Sequence, residues 1–455
     1  MDERFMSLSV PSCGRTLAIT FAMAMAMATA ITFAPVNAQE NAIDAMRSDA
    51  PALATYGKHS VGVRTLHIVN PGQLNIAGAA SGKPLARYER ELTVEVWYPA
   101  KPLPSAQKRG VYDVTTRDGT TIARLTGKAI RGALPDLDRA PYPLVIVSHG
   151  YPGNRFLLSH LAENLASKGY LVASIDHTDS TYTDQGAFGS TLLNRSLDQL
   201  FVLNTLDHLG SDAKSPMHGL VRADTTALIG YSMGGYGALN TIGAGLSAAS
   251  VDLPFAPPER ALSQRQSGDA RYLKSLDSRI KAAVLFAPWG WNAGLWDANG
   301  LAGITIPTFF IAGSLDDVSG YAPGVRNIFE SSTHSPRYLL TFENANHNAG
   351  APIPAPREVW GTLTKASANA QDHYTDAVWD NVRMNNIAQH FVTAFLGKYL
   401  LQDPAMDDYL SVREYAREGV WSTTDTGLRK SDHTYWKGFP QRSAVGLRLE
   451  HIAPL

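Results

Sequence analysis

A serine stands between two glycines in the stretch GYSMG (residues 230–234), directly after a short apolar run. The spacing is G-x-S-x-G, which in one architecture places the serine on a sharp turn between a strand and a helix, with its hydroxyl exposed. Such a hydroxyl becomes a nucleophile when a neighbouring base removes its proton. The stretch therefore predicts covalent catalysis by Ser232, provided that later segments supply a base and an acid.

Two later segments supply these partners in the required chain order. A predicted strand ends at Gly313 and is followed by Asp316 and Asp317, and a second predicted strand is followed by His347. Singly, the aspartates could cap a helix and the histidine could be an ordinary loop residue. Together, the order Ser, Asp, His with each residue after a strand favours a triad. We expect Asp316 to be the acid, because G-x-x-D followed by an aliphatic residue is the commoner spacing, and Asp317 stays the alternative.

Hydrolysis through a tetrahedral intermediate also requires hydrogen-bond donors for the developing oxyanion. The backbone N–H of Met233, directly after the nucleophile, is one expected donor. The other is the N–H of Tyr151, which lies in the turn SHGYPG (148–153) after a predicted strand. We interpret His149 in the same turn as structural, because it precedes the serine and such turns use side chains to hold their own backbone.

Aromatic residues near the predicted nucleophile are candidates for substrate binding. Tyr231 precedes Ser232, and Trp289 and Trp291 follow the predicted strand at 281–288. Ligand pockets are rich in aromatic side chains, although tryptophans also fill protein cores. We predict that Tyr231, Trp289 and Trp291 border the substrate.

An acidic run surrounds His177 and includes Asp176, Asp179 and Asp184. Its spacing matches no ligand pattern that we can name, so we interpret the run as a solvated loop and not as a cation site. The chain also has no HExxH, no G-x-x-x-x-G-K and no G-x-G-x-x-G pattern. We therefore expect no metal and no cofactor.

The elements that must position these residues alternate along the chain. Strands are predicted at 61–69, 91–99, 142–150, 170–176, 225–230, 281–288, 307–313 and 337–342, and helices at 156–169, 193–210 and 376–402. Strands that alternate with helices imply right-handed crossovers and a parallel sheet covered on both faces. The predicted fold class is α/β, with three layers and a mostly parallel central sheet.

The N-terminal region has the pattern of a secretory signal. Arginines precede an apolar run at 17–34, and small residues follow at 36–38, so we predict a signal peptide over residues 1–38 and a periplasmic or secreted protein. The alternative is an uncleaved anchor, but the many alanines make the run weakly apolar. The only cysteine, Cys13, would leave with the signal, so the mature chain would hold neither a disulfide nor a membrane span.

Composition and two unusual segments complete the prediction. Lys and Arg number 40 against 41 for Asp and Glu, so the net charge of the chain does not favour binding to nucleic acid. A small-molecule or polymeric ester of low charge is the expected substrate. We predict one domain over 39–402, with an insertion at 247–279 that covers the site as a cap. A C-terminal extension at 403–455 is expected to pack on that domain through its tryptophans.

With these motifs in view, the chain resembles the α/β-hydrolase superfamily over residues 60–400. The motifs SHGYPG, GYSMGG, GSLDDV and NANHN are similar to those of the dienelactone-hydrolase-like group within this superfamily. That group includes platelet-activating-factor acetylhydrolases and bacterial cutinase-type polyester hydrolases. The resemblance implies the roles of nucleophile for Ser232, acid for Asp316, base for His347, and oxyanion donors for Tyr151 and Met233.

The same resemblance implies a serine carboxylic-ester hydrolase. Dienelactone hydrolases use a cysteine nucleophile, so their own activity is not expected of a chain with serine at this position. Two alternatives stay open: hydrolysis of amides or peptides by the same triad, and a catalytically silent binding protein of the same fold.

Overall fold

A ten-stranded sheet runs through the part of the chain that the computed structural model describes, residues 40–80, 83–102 and 109–455. The predicted signal peptide at 1–38, including Cys13, lies outside these residues. The strands are β1 (Asn41–Ala42), β2 (Ser60–Leu74), β3 (Arg87–Ala100), β4 (Gly110–Thr115), β5 (Ile122–Gly127), β6 (Ile130–Arg131), β7 (Tyr142–Ser148), β8 (Leu171–Asp176), β9 (Val221–Tyr231), β10 (Ile280–Phe286), β11 (Thr308–Gly313), β12 (Arg337–Phe342) and β13 (Leu447–Ile452).

Helices connect most of these strands. The α-helices are α1 (Ser159–Ser167), α2 (Phe188–Ser211), α3 (Met233–Thr241), α4 (Ala270–Lys274), α5 (Ala298–Leu301), α6 (Asn327–Ser331), α7 (Asn381–Tyr399) and α8 (Asp407–Leu410). Single turns of 3₁₀ or π helix lie at Ala52–Ala54, Ala248–Asp252, Ala261–Arg265, Tyr321–Arg326, Arg357–Val359, Ala370–His373, Pro404–Met406 and Ala416–Glu418. No helix in the described ranges is long and apolar enough to cross a membrane.

The strand order of the large sheet is β13-β12-β11-β10-β9-β7-β8-β3-β2-β6. All neighbours from β12 to β8 are parallel, whereas β13 pairs antiparallel with β12, and β3 pairs antiparallel with both β8 and β2. The short β6 pairs parallel with β2. Strands β1, β5 and β4 form a separate three-stranded sheet that the sequence analysis did not predict. The predicted α/β class with a mostly parallel sheet is confirmed.

The alternation of side chains along β9 shows why the sheet is covered on both faces. Ala227 and Ile229 join one buried apolar cluster, whereas Leu228 between them joins the other. Successive strand residues point to opposite faces, so a strand buried on both sides becomes a continuous apolar run. Helices α1 and α7 supply the first cluster, and α2 and α3 supply the second, which makes three layers.

The two segments outside the regular alternation both pack on this core. In the insertion 247–279, Val251 and Leu262 are buried in the cluster that α2 and α3 supply. In the tail, Trp436 is buried in the other cluster, and β13 pairs with β12 over its whole length. The last strand of the sheet therefore comes from the C-terminal extension.

Candidate active site

The turn between β9 and α3 holds Ser232 in a conformation that few side chains adopt. Its φ is 53° and its ψ is −113°. The neighbouring glycines are required by close backbone contacts: a Cβ on Gly234 would lie 1.9 Å from the carbonyl oxygen of Ser148, and one on Gly230 would lie 2.3 Å from that of Gly234. Non-glycine residues at positive φ carry backbone strain and cluster at functional sites. The spacing of the glycines thus follows from how tightly α3 approaches the end of β7.

His347 and Asp316 form a buried pair at the ends of β12 and β11. The Nδ1 atom of His347 lies 3.0 Å from each carboxylate oxygen of Asp316. The Oδ1 atom of Asp316 also accepts hydrogen bonds from the backbone amides of Val318 and Ser319, which fix the carboxylate in place. Asp317, the other candidate acid, is exposed. Because the Nδ1–H donates to Asp316, the Nε2 atom of His347 carries a lone pair that can accept a proton.

Ser232 and His347 line one cavity of about 650 Å³. Tyr231 lines it as well, but its ring lies against the imidazole of His347, with centroids 5.2 Å apart, and its hydroxyl donates to Asn348. Tyr231 is therefore a buried support of the histidine loop as much as a wall of the entrance. Ser232 and His347 are each 8% exposed, so solvent reaches only a small part of either residue.

The turn after β7 lies directly against the serine. A Cβ on Gly150 would come within 3.5 Å of the Ser232 Cβ, and Tyr151 lines the cavity. The Tyr151 amide donates no hydrogen bond to another residue in the described ranges. Met233 is the first residue of α3, where backbone N–H groups have no partner within the helix. Both predicted oxyanion donors thus belong to backbone that borders Ser232.

His149 holds the same turn from the inside. It is fully buried, its Nδ1–H donates to the Gly150 carbonyl at 2.7 Å, and its Nε2 accepts from the His177 amide at 3.3 Å. Burial, with the nearby Arg195 cation, lowers the pKa of His149 well below its ordinary value. The neutral ring agrees with a structural role and not with that of a catalytic base.

The loops between β12 and α7 form much of the cavity wall, and the sequence analysis did not anticipate them. The residues from this region are Thr364, Ala366, Ala368, Asn369, Asp372, His373, Thr375, Asp376 and Ala377. Arg117, from the turn between β4 and β5, lines the opposite part of the wall. Most of the lining side chains are polar, and Val318 is the largest aliphatic one.

Trp289 and Trp291 do not line this cavity. The backbone N–H of Trp289 donates to the Ser232 carbonyl at 3.2 Å, which brings its chain beside the nucleophile but turns its ring away. The ring packs instead against Phe188 and Phe255, with centroids 5.7 and 6.4 Å away. These contacts place both tryptophans with the apolar residues on the α2 face of the sheet.

The insertion 247–279 likewise contributes no residue to the cavity wall. The ring of Phe255 in this insertion contacts Phe188 and Trp289. The role of the insertion as a cap stays a prediction, and none of its side chains forms the wall of this cavity.

The acidic run around His177 is only partly solvated, because Asp184 is exposed whereas His177 and Asp179 are buried. His177 is 1% exposed, accepts a hydrogen bond from the Ser148 hydroxyl at 2.8 Å, and donates to Asp198 at 2.8 Å. Asp198 also binds both Nε and Nη2 of the buried Arg90. Within the described residues, no group of three or more His, Cys, Asp or Glu side chains is arranged to hold a metal ion.

This Ser148–His177–Asp198 array has the hydrogen-bond order of a catalytic triad, yet none of its members lines the cavity. Burial lowers the pKa of His177 to about 4. The array is a polar core beneath the site. It differs from the Ser232, His347 and Asp316 group because none of its residues lines the cavity.

Comparisons with known proteins show similarity to ester hydrolases. The family model described as "PETase: PET hydrolase-like" matches residues 106–265. Cutinase est1 of Thermobifida alba is 29% identical over 211 residues, covering 46% of this chain and 54% of the cutinase. Cutinase 2 of Thermobifida cellulosilytica is 26% identical over 209 residues, covering 46% of this chain and 61% of the cutinase. The chain thus spans little more than half the length of these relatives.

Among solved structures, a ferulic acid esterase from Streptomyces cinnamoneus superposes with a TM-score of 0.53 at 20% identity, covering 80% of this chain and 95% of the esterase. At that identity the likeness concerns the fold. The chain has the α/β-hydrolase fold, and the predicted resemblance to cutinase-type polyester hydrolases is confirmed.

Proposed function

We propose that this α/β-hydrolase cleaves carboxylic esters through an acyl-enzyme on Ser232. The observation that carries the proposal is the pairing of His347 Nδ1 with both oxygens of Asp316, at 3.0 Å each, in the cavity that Ser232 also lines. The similarity to cutinases, which act on esters by name, supports the same reaction class. Hydrolysis of amides by the same residues remains an alternative that a substrate panel decides.

The proposed reaction has two halves. First, His347 Nε2 takes the proton of the Ser232 hydroxyl as its oxygen attacks the ester carbonyl, and the negative charge that forms is held by the amides of Tyr151 and Met233. The imidazolium then gives its proton to the leaving alcohol, and the acyl group stays on Ser232. Water, deprotonated by His347, attacks this acyl-enzyme and releases the acid with the serine restored.

The roles of the charged residues follow from their surroundings. The carboxylate of Asp316, which two backbone amides hold in place, stabilises the imidazolium. The strain at Ser232 keeps the hydroxyl turned toward the cavity instead of into the helix. No cofactor is needed for this chemistry.

Replacement of Ser232 by alanine tests the proposal. We expect kcat on p-nitrophenyl acetate to fall by roughly three orders of magnitude or more, because triad members act as a unit. A fluorophosphonate probe should label the wild-type chain at Ser232 and leave Ser148 unmodified, as mass spectrometry of peptides would show. Ser148→Ala is the matched control, since the Ser148 hydroxyl also stands beside a His–Asp pair but does not line the cavity. A folded wild-type chain that is neither labelled nor active on esters would favour a binding protein instead.

We further propose that residues 1–38 are removed on export, so that the mature chain acts in the periplasm or outside the cell. The apolar run followed by small residues motivates this proposal. The intact mass of the protein recovered from a periplasmic extract would show whether it begins at Gln39. A mass that retains the N-terminal segment would contradict it.

A further inference from the structure

A buried arginine lies beneath the turn that carries Tyr151, and the reaction described above does not use it. Arg195 lies on α2 and is 1% exposed. No carboxylate oxygen of a described residue comes within 4.0 Å of its guanidinium nitrogens. A buried cation normally has an anionic partner, because leaving water is costly for a charge. Arg195 therefore needs another explanation.

The partners of Arg195 are the backbone and hydroxyls of the turn. Its Nη1 donates to the carbonyl of His149, and its Nη2 donates to the carbonyl of Gly150 at 3.0 Å and to the hydroxyl of Ser180. The Nη1 atom also lies 3.4 Å from the Ser148 hydroxyl. One guanidinium thus binds two successive carbonyls of the segment that enters the active site.

The Gly150 carbonyl matters because it shares a peptide group with the Tyr151 N–H. That peptide bond is trans, so its C=O and N–H point in opposite directions. The carbonyl accepts from Arg195 at 3.0 Å and from His149 at 2.7 Å, both on the buried side. The Tyr151 N–H is consequently directed away from the interior, on the face where Gly150 lies against Ser232.

The same contacts strengthen the donor. A carbonyl that accepts two hydrogen bonds, one of them from a cation, polarises its amide group and makes the attached N–H more acidic. Burial lowers the pKa of Arg195 to about 9, so the side chain still carries its charge at neutral pH. Its positive charge lies at the carbonyl side of the Gly150–Tyr151 peptide group. From there it reinforces the peptide dipole, whose positive end is the Tyr151 N–H, and so favours negative charge beside that N–H.

We propose that Arg195 is a positioning residue for the oxyanion site: it holds and polarises the Gly150–Tyr151 peptide so that the Tyr151 N–H meets the oxyanion. The proposal rests on the ester hydrolysis proposed above. It assigns to a charged residue on α2 a part in transition-state stabilisation without contact with the substrate.

The test compares Arg195→Met and Arg195→Lys with a matched control, Arg265→Met. Arg265 is also buried and donates to Ser275, but it lies in the insertion and does not line the cavity. Removing one oxyanion donor lowers kcat by roughly 100- to 1000-fold, so we expect Arg195→Met to lower kcat by about 100-fold. KM should stay within about threefold, since the ground-state ester does not depend on this donor. Arg195→Lys should recover part of kcat.

A second readout does not depend on turnover. In protein labelled with ¹⁵N-tyrosine, the Tyr151 amide resonance should move in both Arg195 variants and stay in place in Arg265→Met. A folded Arg195→Met with wild-type kcat and an unmoved Tyr151 resonance would overturn the proposal, as would an equal kcat loss in Arg265→Met.

If Arg195→Met does not fold, Arg195→Lys decides by the same two measurements. A wild-type chain that hydrolyses no ester would overturn the proposed function, while the Tyr151 resonance would still decide whether Arg195 holds the peptide.

Discussion

Substitution of Asp316 by asparagine isolates the contribution of one carboxylate oxygen to catalysis. The Asn Oδ1 can keep the hydrogen bonds from Val318 and Ser319, but the NH₂ group then faces His347 at the position where a carboxylate oxygen lies 3.0 Å from Nδ1. The Asn Oδ1 also lies 3.0 Å from Nδ1 and can still accept from it, but it carries no charge, and an NH₂ group that donates to Nδ1 instead favours the ring proton on Nε2. That is the nitrogen that must deprotonate Ser232.

The expected loss follows from the missing negative charge beside the imidazolium and from this second tautomer. A comparable substitution in a serine protease triad lowers kcat by about 10⁴-fold, which corresponds to about 5 kcal/mol of lost transition-state stabilisation. Initial rates on p-nitrophenyl acetate measure the loss, and circular dichroism melting shows whether the fold is kept. We expect a melting temperature close to that of the wild type, because the two backbone contacts survive.

Asp317→Asn is the control, because Asp317 is one residue away and exposed at the cavity wall, while the carboxylate that pairs with His347 belongs to Asp316. It should change kcat by less than about threefold, because it leaves the His347–Asp316 pair intact. If Asp316→Asn keeps more than a tenth of wild-type kcat, or if Asp317→Asn loses as much, the assignment of the acid is wrong.

Two further predictions concern the cavity wall and pH. Ala368→Trp should narrow the cavity and shift the preference toward shorter acyl chains in a p-nitrophenyl ester series, whereas Phe255→Ala should leave that preference unchanged. A preference that changes in Phe255→Ala and not in Ala368→Trp would support a cap role for the insertion. Burial lowers the pKa of His160 and His390 to about 3 and that of His177 to about 4. In the unfolded chain a histidine has a pKa near 6.5, so the unfolded chain binds more protons than the folded chain at acidic pH. The free energy of unfolding therefore falls as pH drops from 6.5 toward 4. Each histidine should cost about 2 kcal/mol at pH 5, so an unchanged melting temperature between pH 7 and 5 would contradict the linkage.

The elements that carry Ser232, Asp316 and His347 could be predicted because each follows a buried parallel strand. Strands β9, β11 and β12 are buried along most of their length and therefore read as apolar runs, after which polar residues stand out. The choice between Asp316 and Asp317 is harder from sequence, since it depends on which side chain turns inward. The backbone hydrogen bonds from Val318 and Ser319 make that choice in the structure.

The cavity wall could not be predicted in the same way. The segment 364–377 has little regular structure, and its position depends on distant contacts such as the Asn348 amide donating to the carbonyls of Asp372 and Thr375. The polar core around His177 was misinterpreted because composition alone does not distinguish a buried ion network from a surface loop. In this chain Arg90, which donates to Asp198 within this polar core, lies 87 positions before His177.

The pairing of β13 with β12 makes the order of folding depend on a strand that comes about a hundred residues after His347. Strand β12 leads into the loop of His347, and the amide of Glu343, directly after that strand, donates to the carbonyl of Gly446 at 2.8 Å. A ribosome delivers residues in order, so Ser232 and Asp316 emerge long before the strand that secures the histidine loop. The loop of His347 therefore gains its full support only after β13 has been synthesised and has joined the sheet, later than the strands that lead to the other two residues.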